Sequence, residues 1–125
     1  MKEEKLLTET ELEMMRLLWV RGGGTVNDVL EGLPKGRDLA YTSVSTILRI
    51  LEKKGFLKSR KDGRAHIYKP SVDKSDYEAR TLRHVVRNVF DGKKVGLMRQ
   101  LIGSGDIQPE ELEELRRLLG EGKSS

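Results

Sequence analysis

Apolar residues recur at helical spacing through the first part of the chain. Thr8, with Glu11 three residues on, has the spacing of a capping box, in which each side chain satisfies the other residue's free backbone N–H. Leu12, Met15, Leu18 and Trp19 then share one face until Gly22, Gly23 and Gly24 stop the pattern, so a first helix is predicted over residues 9–21. Thr25 and Asp28 repeat the capping spacing, and Val26, Val29, Leu30 and Leu33 line a short second helix that ends at Pro34. A polar loop runs from Pro34 to Leu39. Val44, Ile47, Leu48 and Leu51 then stand at i, i+3, i+4 and i+7, and Lys53, Lys54 and Gly55 close a third helix, the clearest amphipathic pattern in the sequence.

After Gly55 the helical period is lost. FLKSR (56–60) and AHIYK (65–69) read as two short strands around Lys61, Asp62, Gly63 and Arg64, and the Asp-Gly pair signals a hairpin. Neither strand alternates cleanly enough to say which face is buried. Pro70 has no N–H to give a ladder, so the hairpin is expected to project from an edge.

Ser75 and Glu78 have capping-box spacing before Leu82, Val85, Val86 and Val89, which mark a helix to Phe90 ended by Gly92. Val95, Leu97, Met98, Leu101 and Ile102 suggest another helix, and Pro109 starts a last one carrying Leu112, Leu115, Leu118 and Leu119. Three short helices with one apolar stripe each have too few layers to enclose a core, so the stripes need a further surface. A second copy of the chain supplies one most simply. Leu82, Val86, Val89, Leu97, Leu101, Leu112, Leu115, Leu118 and Leu119 are the residues expected to form that homodimer contact. The expected fold class is mainly α with a small β-hairpin: a winged helix-turn-helix domain over 1–72, a helical dimerisation region over 73–120 and a disordered tail over 121–125.

Charge sharpens this picture. The 125 residues carry a formal net charge of +4, a weak pointer to a polyanion by itself. Residues 37–69, however, hold nine basic side chains against three acidic ones, an excess of six, so the remainder is slightly acidic. Tyr41, Thr42, Ser43, Ser45, Thr46 and Arg49 lie on or beside the polar face of the third helix. Small hydroxyl side chains allow close approach to DNA, and an arginine reaches a guanine edge or a phosphate. The same residues also suit a solvated helix start. Arg60, Lys61, Arg64 and His66 cluster at the hairpin, where cations can follow a phosphate backbone or serve as edge protection against aggregation. Lys53 and Lys54 equally suit the helix dipole. The position of the basic hairpin directly after the third helix favours DNA.

Other chemistries lack their residues. With no cysteine, disulfides, thiolate metal sites and a thiol nucleophile are excluded. His66 and His84 lie eighteen residues apart without acidic residues at ligand spacing, and no nucleophile–base set is present, so neither an enzyme nor a cofactor is expected. The glutamates at 110, 111, 113 and 114 fit a solvated helix start. No signal-length or membrane-length apolar run occurs, which leads to an expectation of a cytoplasmic protein without a membrane partner. A ligand-sensing winged-helix regulator and a protein-interaction module stand as the alternatives.

The segments LTETELEMMRLLW, LAYTSVSTILRILEKKGFL, KDGRAHIYKP and DIQPEELEELRRLL, in this order, closely resemble the BlaI/MecI family of penicillinase and methicillin-resistance repressors. The resemblance covers nearly the whole chain. It implies a DNA-binding repressor of genes such as those for β-lactam resistance, acting as a dimer on a palindromic operator with TACA and TGTA half-sites. It places Thr42, Ser43, Ser45, Thr46 and Arg49 on the recognition helix and residues 60–66 on the wing. In the resistance repressors a sensor protease cuts an Asn-Phe bond; Gln100 and Leu101 occupy that position here, so the cleavage residues differ. The paired cysteines of a copper-responsive branch are absent.

Overall fold

A computed structural model describes residues 6–123. Its elements are α1 (Glu9–Arg21), α2 (Val26–Gly32), α3 (Tyr41–Lys53), β1 (Leu57–Asp62), β2 (Ala65–Pro70), α4 (Lys74–Val89), α5 (Lys94–Gly103) and α6 (Pro109–Lys123). Both expected capping boxes at the start form. Thr8 N–H donates to Glu11 Oε1 at 2.9 Å and Glu11 N–H to Thr8 Oγ1 at 3.2 Å; Thr25 and Asp28 repeat the pair at 2.9 and 3.1 Å. The chain forms two compact units, one up to Leu82 and the other from Arg83 onward, divided within α4.

In the first unit, α1–α3 pack Met14, Met15, Leu18, Val29, Val44, Leu48 and Leu51 out of solvent. Burial of one such side chain is worth roughly 1.5–3 kcal/mol, so the three anchors of α3 fix its orientation firmly. Trp19 is half-buried; its Nε1–H donates to the Val72 carbonyl at 2.9 Å and its ring lies beside Tyr77.

β1 and β2 pair antiparallel from Leu57↔Pro70 to Asp62↔Ala65. β1 runs two residues further towards the tip than expected and β2 one residue further at the base, so the turn narrows from residues 61–64 to Gly63-Arg64. Gly63 has φ 64° and leads the turn, the place where a two-residue hairpin of type II′ requires glycine. Only the base of the hairpin touches the core, through Leu57 and Tyr68. A third backbone segment joins it: Tyr68 N–H donates to the Gly24 carbonyl at 2.8 Å and Gly24 N–H to the Tyr68 carbonyl at 2.9 Å. The glycine run therefore ends α1 and also pairs with the hairpin.

The capping box expected from Ser75 and Glu78 does not form. α4 begins at Lys74, with Tyr77 N–H donating to the Asp73 carbonyl at 3.0 Å, so Ser75 lies inside the first turn. The earlier start accompanies burial of Tyr77, whose hydroxyl accepts the Leu7 N–H at 2.9 Å and whose ring meets Phe56 edge-on. Arg80 lies over the other aromatic partner, 5.8 Å from the Phe56 ring centre.

In the second unit α4 ends at Val89 and is closed just beyond it by Gly92, whose N–H donates to the Val86 carbonyl at 2.8 Å. α5 has no buried residue. α6 continues through Gly120 and Gly122 to Lys123, beyond the start of the expected tail, since a glycine costs a helix only about 1 kcal/mol. Ser124 and Ser125, the end of that expected tail, lie outside the described residues. No described helix is long and apolar enough to cross a membrane.

Candidate nucleic-acid interface

The two faces of α3 have different fates. Val44, Leu48 and Leu51 are fully buried, whereas Thr42, Thr46 and Arg49, each two residues earlier, are exposed. Two residues turn a helix by about 200°, so these sets lie nearly opposite, and burial of one presents the other to solvent. Tyr41 and Ser43 are also exposed; Ser45 is half-buried. Thr46 Oγ1 donates to the Thr42 carbonyl at 2.9 Å. Its hydroxyl proton is thus used within the helix, and what it offers outward is a methyl group and an acceptor lone pair.

Arg49 lies near the Tyr68 hydroxyl, and Tyr68 itself is buried. Burial, followed by the nearby Glu52 carboxylate, pushes the Tyr68 phenol above its ordinary range, with Arg49 partly opposing the shift. The phenol therefore stays protonated at neutral pH. Glu52 Oε2 in turn accepts from Ser59 Oγ at 2.7 Å. Tyr68, Glu52 and Ser59 were not among the residues expected at the site. Their one sequence signal is the polar Ser59 two positions after Leu57, on the inward face of β1.

Arg60, Lys61, Arg64 and His66 are all exposed along the outer part of the hairpin. Lys61 stands opposite His66 on the face that carries Ser59 and Tyr68, while Arg60 faces the other way. Among the described residues Arg60, Lys61 and Arg64 form no ion pair. Two other cations of the basic segment are already engaged. Arg37 meets Glu13 in a forked pair at 3.1–3.2 Å, which raises its pKa. Lys54 Nζ lies 2.8 Å from both carboxylate oxygens of the buried Glu11. Burial pushes the Glu11 carboxyl up, but Lys54 and the Thr8 N–H together outweigh it and leave it below the ordinary carboxylate value. Lys54 is therefore a tie between α3 and α1 rather than a dipole complement alone. Among the described residues of the basic segment, the cations without an ion pair are Arg49, Lys53 and those of the hairpin.

Away from this surface, His84 is bonded to Asn88 on α4, and no described group of three or more His, Asp or Glu could hold a metal ion. Gln100 and Leu101 are exposed on α5. Leu101 borders a groove of about 480 Å³ also lined by Ile107, Leu115, Leu118 and the acidic Asp106, Glu111 and Glu114. Of the expected dimerisation residues, Leu82, Val89, Leu101, Leu112, Leu118 and Leu119 are exposed, Leu97 and Leu115 half-buried and Val86 buried.

Residues 7–121 match the family model described as penicillinase repressor. The chain is 28% identical to the penicillinase repressor of Bacillus licheniformis over 124 residues, covering 99% of this chain and 97% of that protein. It is 27% identical to the methicillin resistance regulatory protein MecI of Mammaliicoccus sciuri, over 90% of this chain and 92% of the relative. Among solved structures it is similar to the monomeric form of Bacillus licheniformis BlaI in complex with the blaP half-operator, with 35% identity and a TM-score of 0.50 over 62% of this chain and 94% of that one.

Proposed function

The chain belongs to the penicillinase repressor family, and from that membership we propose that it represses transcription by binding, as a homodimer, a palindromic operator of the TACA/TGTA type. It is a DNA-binding repressor of the BlaI kind; the operator, the dimer and control of genes such as β-lactam-resistance genes are the proposed part. The reading rests chiefly on one observation. The outward face of α3 is exposed and backed by fully buried anchors, and it adjoins, through the Ser59–Glu52 bond, a hairpin whose tip cations are exposed and unpaired. A helix so presented fits the major groove with its side chains at base edges, while a cationic hairpin meets the flanking phosphates or minor groove. The apolar residues exposed on α5 and α6 support a second copy as the partner that links two half-sites. A role at operator DNA places the working protein in the cytoplasm.

The test is binding to a duplex bearing the palindrome and to a scrambled duplex across a salt series. Thr46→Ala and Arg49→Ala are expected to narrow the preference for the operator by about 1–3 kcal/mol per good base contact. Arg64→Ala is expected to weaken both duplexes alike and flatten the salt dependence, as a phosphate contact does. Equal affinity of the unaltered protein for the two duplexes would overturn the reading.

A further inference from the structure

The hairpin is held at its base and free at its tip. β2 is anchored by the paired backbone bonds between Tyr68 and Gly24 and by the burial of the Tyr68 ring. β1 is anchored beside it by Leu57 and, at the next inward position, by the 2.7 Å bond from Ser59 Oγ to Glu52 Oε2. Residues 60–66, which carry the wing's cations, are all exposed. Ser59 is thus the outermost residue of β1 that touches the helical body, and what it touches is the recognition helix itself.

The chemistry of the link is specific. Glu52 follows Arg49 by three residues, so both lie on neighbouring positions of α3, and Arg49 lies near Tyr68, the cross-strand partner of Ser59. An unengaged carboxylate beside a phosphate-binding helix opposes DNA binding by repulsion. Here the carboxylate accepts a charge-assisted bond from the wing, of the stronger class of hydrogen bond. A two-stranded ribbon by itself is marginally stable, and ordering it during association would be subtracted from affinity.

We propose that Ser59 is a positioning residue that, by bonding Glu52, locks the wing to the recognition helix so that Arg64 and Arg49 meet DNA at a fixed offset. This inference rests on the DNA-binding reading above. The experiment is a mutant cycle in the full-length protein, measuring operator affinity for Arg64→Ala in the natural and in the Ser59→Ala background. The loss caused by Arg64→Ala should be smaller, by about threefold or more, once Ser59 is alanine, because an unlocked wing no longer delivers the cation. Ser59→Thr keeps the hydroxyl and should restore the full loss. A second measurement needs no DNA: in the free Ser59→Ala protein, amide exchange over residues 60–66 should speed up by about threefold or more while exchange in α1 and α3 is unchanged. An identical Arg64→Ala loss in both backgrounds, or unaltered exchange in the wing, would overturn the lock. Equal binding of the unaltered protein to operator and scrambled duplexes would instead overturn the DNA reading, and the exchange measurement would still decide whether Ser59 holds the wing.

Discussion

Glu11 serves two elements at once: its carboxylate caps α1 through the Thr8 N–H and receives the Lys54 ammonium from the end of α3. Because it is buried, loss of its partner leaves charge without compensation, and Lys54→Met is expected to lower stability by about 1–3 kcal/mol. The pH dependence follows from the direction of its shift. A carboxyl held below its ordinary value of 4.5 stabilises the fold when ionised, so that stabilisation is present above the unfolded value and is lost as pH falls through the lower folded one. Urea midpoints of the natural protein and Glu11→Gln should therefore differ at neutral pH and converge under acid. Parallel curves would show that the pair contributes nothing through its charge.

Among the elements, the hairpin depends most on a segment distant in sequence. Gly23 has φ 134°, and a Cβ there would come within 2.9 Å of the Tyr68 carbonyl oxygen. Gly23→Ala therefore forces either a strained backbone or separation of the Gly24–Tyr68 bridge, and thermal unfolding should report a loss of about 1–3 kcal/mol. Because Tyr68 also lies near Arg49, operator affinity should fall in the same variant. An unchanged unfolding midpoint would mean that the bridge does not hold the base of the wing. α3 needs no such help: its three anchors secure it, and it starts at Tyr41 without a side-chain cap.

For the whole molecule, the question is what covers the second unit. Leu118 is 54% and Leu119 69% exposed on α6, whereas Leu115 is half-buried beside the groove. Leu118→Asp combined with Leu119→Asp therefore tests the dimer with the least damage to the unit's own packing. Sedimentation should show a dimer for the natural protein and a monomer for the variant. Operator affinity should drop by on the order of a hundredfold, since two half-sites lose their linkage. A variant that remains dimeric would place the interface elsewhere.

The sequence alone was enough to locate the helices and the hairpin and to mark the outward face of α3. Those features arise from contacts a few residues apart: Thr8 with Glu11, Thr25 with Asp28, and the i, i+4, i+7 rows of α3. It misplaced the start of α4, because Ser75 offered a local cap while burial of Tyr77 went with an earlier start. It also left open which face of the hairpin turns inward and what Lys54 does. The tertiary structure decided these points. Lys54 meets Glu11 across 43 positions, Tyr77 meets Leu7 across 70, and Tyr68 pairs with Gly24, and no local period records such distances. Ser59 and Glu52 are only seven residues apart, yet they meet because the chain reverses between a helix and a strand. Local pattern determines which residues share a face; the packing of faces determines which cations remain free for a phosphate and which are already paired.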